Sequence, residues 1–243
     1  MRPLQAVRMQ FHCIEWHGSF EIKRKNMETS TYIPALKYQS LTRFYDWLIA
    51  TFLAETRWKD FLIESFAGKR PEAILDIGTG TGTLALMMGK KFPAARIHGL
   101  DGDPQILSIA GGKISQAGAR NIQLQEGLSF KLPYPDGSFD VVTSSLMLHH
   151  LSDDDKHRTM KEVFRVLKPS GVFAIADWGK PSSKLIRFLF YSVQLLDGFE
   201  TTSDNVKGLL PSYLSKNGFR NVTEAKRFAT VLGSISIYQG EKI

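Results

Sequence analysis

The sequence predicts an α/β fold built on a mostly parallel sheet, and three observations carry that prediction. Apolar runs of strand length, roughly 72–77, 95–101, 121–126, 139–145 and 170–177, alternate with amphipathic helical patterns near 82–91, 104–117 and 152–167. Such alternation requires crossover connections, and these make neighbouring strands parallel. The first run reaches Asp76 and opens into Gly78-Thr79-Gly80-Thr81-Gly82, followed at once by the helical pattern Leu84, Met87, Met88. Nineteen positions past Gly82 the second run ends in Asp101.

Taken in order, residues 1–26 carry no helical patterning and read as a basic, loosely packed extension, with Met27 as an alternative start. Beyond Pro34, the residues Leu41, Phe44, Tyr45, Leu48 and Phe52 recur at helical spacing, and Phe61, Leu62 and Phe66 continue an apolar face up to about residue 69. The glycine turn follows the first strand. Without a Cβ, Gly78, Gly80 and Gly82 permit positive φ and a close approach of ligand to backbone, and the next helix aims its unpaired N–H groups at an anion. Asp103 with Pro104 reads as the start of the 104–117 helix, which leaves Asp101 for a ligand. Ser152 caps the later helix, with Asp153, Asp154 and Asp155 in its positive first turn, Met160, Val163, Phe164 and Leu167 as its buried stripe, and Pro169 and Gly171 at its end. The apolar segment from Leu185 reads as a helix, residues 204–217 as one more, and Phe219–Thr223 and Val231–Tyr238 as two strands.

Two ligand classes compete for the turn. A dinucleotide loop, Gly-x-Gly-x-x-Gly, would place its third glycine where this chain has Thr83. Asp76 at the strand end would also repel a pyrophosphate. A ligand bearing an ammonium, a carboxylate and a ribose matches Asp76, the helix terminus and Asp101 instead, and S-adenosylmethionine has all three. With that turn, the segment Pro133-Tyr134-Pro135-Asp136-Gly137-Ser138-Phe139-Asp140-Val141-Val142 and the segment Val166-Leu167-Lys168-Pro169-Ser170-Gly171, the chain resembles the class I S-adenosylmethionine-dependent methyltransferases over about residues 70–180. Leu148-His149-His150 adds a likeness to the branch that includes ubiquinone and menaquinone biosynthesis methyltransferases.

The resemblance implies a Rossmann-like, seven-stranded, mostly parallel sheet with helices on both faces and an antiparallel edge. It also implies a helical lid over residues 27–69, a methyltransferase core over 70–243 and substrate-pocket helices at about 181–217. It assigns Asp76, Gly78, Thr79, Gly80, Thr81 and Gly82 to the methionine end of S-adenosylmethionine, Asp101 to the ribose and Gly102 to close contact near the adenosine. Relatives follow their third strand with Gly-Asp-Ala, the Asp meeting the adenine amine. Here Gly127 precedes Leu128 and Ser129, so Leu128 would pack on the adenine and Ser129 or a backbone carbonyl would accept from the amine. Ser144 and Ser145 begin the segment beside the reacting centre. His149 and His150 are the acid/base candidates, with His150 favoured, against the competing reading of packing at a helix start. Tyr45, paired with Asp46, would offer an aromatic face to a sulfonium, or simply belong to its apolar stripe. Asp177 would face the acceptor or form a turn.

Composition narrows the partners. The net charge is +7, of which residues 1–26 supply +3, so the body is only mildly basic. No run of Lys/Arg interleaved with aromatics occurs, which argues against nucleic acid and for a small-molecule acceptor. The resemblance places Leu185–Leu196 where relatives shape the acceptor pocket and so implies an apolar or aromatic acceptor, against the competing reading of a core helix. A lone cysteine, Cys13, excludes an internal disulfide and a thiol-ligated zinc site, and no metal is expected. No stretch of eighteen apolar residues occurs, so a cytoplasmic protein without a transmembrane segment is the expectation, with transient membrane contact left open. The oligomeric state is not set by any of these features. Two other functions compete: a non-catalytic S-adenosylmethionine-binding protein, kept open by Leu128, and an NAD(P)-dependent oxidoreductase, opposed by Asp76 and the early third glycine.

Overall fold

The computed structural model describes residues 55–243. The expectations for residues 1–26, for the lid before residue 55 and for Tyr45 lie outside the described residues. The described elements are α1 (Glu55–Ala67), β1 (Ala73–Ile77), α2 (Thr83–Lys91), β2 (Arg96–Asp101), α3 (Pro104–Gln116), β3 (Ile122–Glu126) and β4 (Phe139–Ser145). A single 3-10 turn (Leu148–His150) precedes α4 (Asp153–Val166), β5 (Leu167–Trp178), α5 (Lys184–Asp197), α6 (Phe199–Lys207), α7 (Leu210–Lys216), β6 (Arg220–Ala229) and β7 (Ser234–Glu241).

The seven strands form one sheet in the order β3-β2-β1-β4-β5-β7-β6. The first five are parallel, whereas β7 runs antiparallel to β5, and β6 antiparallel to β7. Strand order reverses between β1 and β4, so the C-terminal ends of β1, β2 and β4 flank the crevice where ligands of open α/β sheets bind. The edge strand β6 is mostly exposed and carries Arg220, Glu224, Lys226 and Arg227, charges that discourage a further strand from pairing there.

Side-chain alternation along the central strands feeds two cores. Ile74, Ile97, Val141, Ala174 and Ala176 pack with Trp58, Leu62 and Phe66 of α1, Leu84 and Met88 of α2, and Phe190 and Val193 of α5. Leu75, Leu100, Val142, Phe173 and Ile175 pack instead with Met160 and Val163 of α4 and Leu210 and Leu214 of α7. Both faces are therefore covered, which explains why β1 reads as continuously apolar apart from Asp76.

Two boundaries differ from expectation. Leu167 does not extend the helical stripe of α4: its backbone is extended (φ −71°, ψ 138°), and it pairs with Phe139 as the start of β5. The register shifts before Val141 pairs with Val172, and Ser170 between them has φ 62°. Residues 204–217 form two helices rather than one, because Gly208 is left-handed at φ 74° and Pro211 lies in the first turn of α7. The caps at Asp103, which accepts from Gln105 N at 2.8 Å, and at Ser152, which accepts from Asp155 N at 3.2 Å, agree with the sequence reading.

Candidate active site

The glycine turn is tied to its neighbour strand, with Gly78 N and Thr79 N both donating to Leu100 O at 2.8 and 3.0 Å. Gly78, Gly80 and Gly82 all take positive φ (67°, 55° and 78°), yet for different reasons. A Cβ at Gly78 would come within 2.4 Å of Met147 Cγ, and one at Gly82 within 3.1 Å of Ala110 Cβ, so these two are packing requirements. At Gly80 a Cβ would meet nothing within 4 Å. The bare backbone at Gly80 is the open side of the turn. Helix α2 starts just beyond at Thr83 with no side-chain cap, so its first N–H groups and the positive end of its dipole offer themselves to an anion. The Thr81 hydroxyl accepts from Lys113 Nζ of α3 at 2.8 Å, which ties the turn to that helix.

Asp76 lies behind the turn and is fully buried. Its carboxylate accepts from Thr79 Oγ1 and Thr143 Oγ1, each at 2.8 Å, so it shapes the turn from within. Burial drives its pKa up to about 6 against the lowering effect of the two threonines and of Lys59. Asp101 is half-buried beside half-buried Gly102. Contrary to the expectation of a free carboxylate, its Oδ2 accepts from Gly80 N at 2.9 Å and its Oδ1 from Asp103 N at 3.0 Å. Burial raises the Asp101 pKa and these backbone bonds oppose the rise. A ribose diol would share these oxygens with the backbone, and Asp101 would link the diol directly to the open side of the turn.

The segment after β3 is tied to α4 through Ser129. Its buried hydroxyl lies 2.9 Å from Thr159 Oγ1 on α4, so it is engaged with that helix. Leu128 is half-buried, and its carbonyl accepts from Lys131 N at 3.0 Å in a tight turn. At the end of β4, Ser145 is half-buried and Ser144 is fully buried, the latter paired in register with Ile77 just before the glycine turn. Ser144 Oγ has no hydrogen-bond partner among the described residues. A buried hydroxyl left in this way beside the crevice suits a ligand that completes it.

The two histidines separate sharply. His149 is buried, and its Nδ1 lies 2.7 Å from Asp177 Oδ1 while its backbone N donates to Asp177 Oδ2 at 3.3 Å. Asp177 is fully buried and also accepts from Trp178 N at 2.7 Å. His150 sits outside this pair, exposed, with its ring centroid 4.0 Å from that of His149. Packing around its ring, followed by the neighbouring imidazole, lowers its pKa, and its exposure to water tempers both effects. A proton acceptor needs an oriented ring, and the carboxylate-oriented ring is His149, not the favoured His150. Asp177 is the residue whose role the sequence left undecided: it lies one position before the end of β5, beside the strand that leads to His149. Thr143, which holds Asp76, was missed altogether. Its signal is the first hydroxyl of the run Thr143-Ser144-Ser145, of which the sequence reading takes only the two serines.

A parallel sheet with this strand order, an open glycine turn at its reversal point and a carboxylate at the end of β2 define a nucleotide-binding α/β protein. Residues 74–171 match a family described as "Methyltransferase domain". The demethylmenaquinone methyltransferase of Lactobacillus johnsonii is 31% identical over 204 residues, which cover 76% of this chain and 82% of that protein. The chain belongs to the class I S-adenosylmethionine-dependent methyltransferase family, and within it resembles the quinone-biosynthesis branch. The demethylmenaquinone methyltransferase of Thermus thermophilus is 35% identical over 147 residues, 60% of this chain and 63% of that one, so the chain spans less than two thirds of that relative. Among solved structures, human N-acetylserotonin methyltransferase in complex with S-adenosylmethionine superposes with a TM-score of 0.58 at 21% identity, covering 76% of this chain and 51% of that one. The YcgJ protein from Bacillus subtilis gives a TM-score of 0.57 at 21% identity, covering 70% and 92%. These last two likenesses are likenesses of fold.

The residues present fit S-adenosylmethionine, the cofactor of the family. The open backbone at Gly80 and the uncapped start of α2 suit its carboxylate, the buried Asp76 lends negative potential to a cationic ligand, and Ser144 Oγ offers an unused polar atom.

Proposed function

We propose that the chain transfers a methyl group from S-adenosylmethionine to a small, apolar aromatic acceptor of the quinol type, with His149 removing the acceptor's proton. The observation that carries this reading is the buried His149–Asp177 pair at the ends of β4 and β5, next to the strand that leads into the glycine turn. The likeness to two proteins named demethylmenaquinone methyltransferase supports the acceptor class.

Bound S-adenosylmethionine supplies a methyl group already attached to a good leaving group, positively charged sulfur. What remains for the protein is alignment and one proton. Gly80 and the start of α2 hold the carboxylate end, Asp101 the ribose, and Leu128 gives the adenine an apolar face. Asp177 fixes the His149 ring through Nδ1 and would stabilise the imidazolium formed when the ring takes the acceptor's proton. The bound cofactor would supply the methyl carbon, its sulfur keeping the bonding electron pair and departing as S-adenosylhomocysteine. The apolar helix α5 shapes the acceptor side.

Incubation of the protein with S-adenosylmethionine and a panel of reduced naphthoquinones and benzoquinones, read by mass spectrometry as methylated product and S-adenosylhomocysteine, tests this reading. Turnover on a quinol is the expected result. Tight cofactor binding without turnover on any acceptor would instead mark a binding protein, and binding of NAD alone would remove the methyltransferase reading.

A further inference from the structure

Helix α5 is apolar on two sides, and only one of them is used. Phe190 and Val193 face the core, while Leu185, Phe188, Tyr191 and Leu195 are 67, 70, 44 and 74% exposed. At about 100° per residue these four fall within an arc of about 120°. Phe199 at the start of α6 extends the patch, its ring centroid 6.3 Å from that of Tyr191. Five of the nine large apolar side chains exposed among the described residues thus belong to one stretch of fifteen residues. Scattered exposure needs no explanation, but a contiguous stripe on one helix does.

The charges around the stripe indicate what covers it. Between Gly179 and Leu196 the sequence carries Lys180, Lys184 and Arg187 and not one Asp or Glu; Asp197 and Glu200 follow, Asp197 falling outside the apolar arc by helical position. Lys180 and Lys184 are exposed, Lys184 falls within the apolar arc by helical position, and the Arg187 guanidinium lies over the Tyr191 ring at 4.1 Å. A second copy of the chain would make a poor cover, because a two-fold interface would set these cations against their own images. The basic extension of residues 1–26 is opposed for the same reason. An anionic lipid surface satisfies both halves of the pattern, since large apolar and aromatic side chains enter the boundary between headgroups and acyl chains while Lys and Arg reach the headgroup phosphates.

We infer that the exposed face of α5 docks the protein on anionic bilayers. The inference rests on the face and its cations and holds whatever acceptor is methylated. Docking there would place the helix that borders the proposed acceptor side at the surface from which an apolar molecule leaves a membrane.

Flotation of the full chain with phosphatidylcholine vesicles, with and without phosphatidylglycerol, tests it. The wild-type chain should float with the phosphatidylglycerol vesicles only, and less as salt rises. The double variant Leu185→Ser/Phe188→Ser should lose binding by at least about tenfold, and Lys180→Glu/Lys184→Glu by a similar factor. Both variants should keep their circular dichroism and their affinity for S-adenosylmethionine, because the altered side chains point away from the core. The inference is overturned if the wild-type chain does not float, if either double variant floats like wild type, or if gel filtration shows a dimer that Leu185→Ser/Phe188→Ser abolishes while flotation persists.

Discussion

Replacing Asp177 by Asn tests the His149–Asp177 pair most directly, because it removes a charge and one acceptor without changing the volume of a fully buried side chain. In the native protein Oδ1 accepts from His149 Nδ1 and Trp178 N, and Oδ2 accepts from His149 N. An amide has one oxygen, so whichever way it turns, its NH2 faces at least one of these donors. Leaving one buried donor unpaired costs about 1–3 kcal/mol. For a chain of this length that lowers the melting temperature by roughly 2–4 °C per kcal/mol. Catalysis should suffer more. The ring loses the carboxylate that fixes its tautomer and stabilises its charged form, so kcat should fall by about 100-fold to 10,000-fold, the range of general-base contributions. The KM for S-adenosylmethionine should stay near its original value, since neither residue reaches the glycine turn. Steady-state methyl transfer to a quinol, measured with labelled cofactor beside a thermal melt, separates the two effects. A lowered melting temperature with kcat within about threefold of wild type would show that the pair is structural and that another group takes the proton.

Asp76→Asn should alter how stability depends on pH. A carboxyl raised from 3.8 to about 6 on folding binds its proton more tightly in the native state, so its contribution is fully present below pH 3.8 and is lost as pH rises through 6. The variant should abolish that decline and gain up to about 3 kcal/mol over wild type at pH 7 in urea denaturation, while binding S-adenosylmethionine less tightly; an unchanged pH profile would contradict the assigned pKa. Gly80→Ala fills the open side of the turn at positive φ, and calorimetric titration should show cofactor affinity lowered at least about tenfold with little loss of fold. Leu128→Asp supplies the acceptor that the adenine amine lacks and should tighten cofactor binding in the same titration; no gain would mean that the amine is already satisfied by another contact.

Much of the fold was legible because each signal was local. The alternation of apolar runs with helical stripes located five parallel strands, and Asp103-Pro104 and Ser152 marked helix starts by chemistry that acts within a few residues. Where the sequence misled, the deciding partner was distant. Leu167 satisfies the α4 stripe, but hydrogen bonding to Phe139 draws it into β5. Asp101 looked free because its neighbour Asp103 is the better cap, yet Gly80, twenty-one residues earlier, had already claimed one oxygen. His149 and His150 are chemically identical in sequence and differ only in which of them faces Asp177, twenty-eight residues downstream across two strands. Such a choice is made by the sheet and not by the local chain.

The order β1-β4-β5 has a metric consequence for evolution on this scaffold. Adjacent strands in a sheet lie about 4.8 Å apart, so the turn that ends β1 and the carboxylate near the end of β5 are anchored two spacings, or about 10 Å, from each other. Neither helix packing nor loop length sets that interval. Descendants of the chain can reshape α5, α6 and their loops, while the separation between the glycine turn and Asp177 stays ruled by the hydrogen-bond ladder. Acceptor choice is thus free to drift, while the spacing between the glycine turn and Asp177 is not.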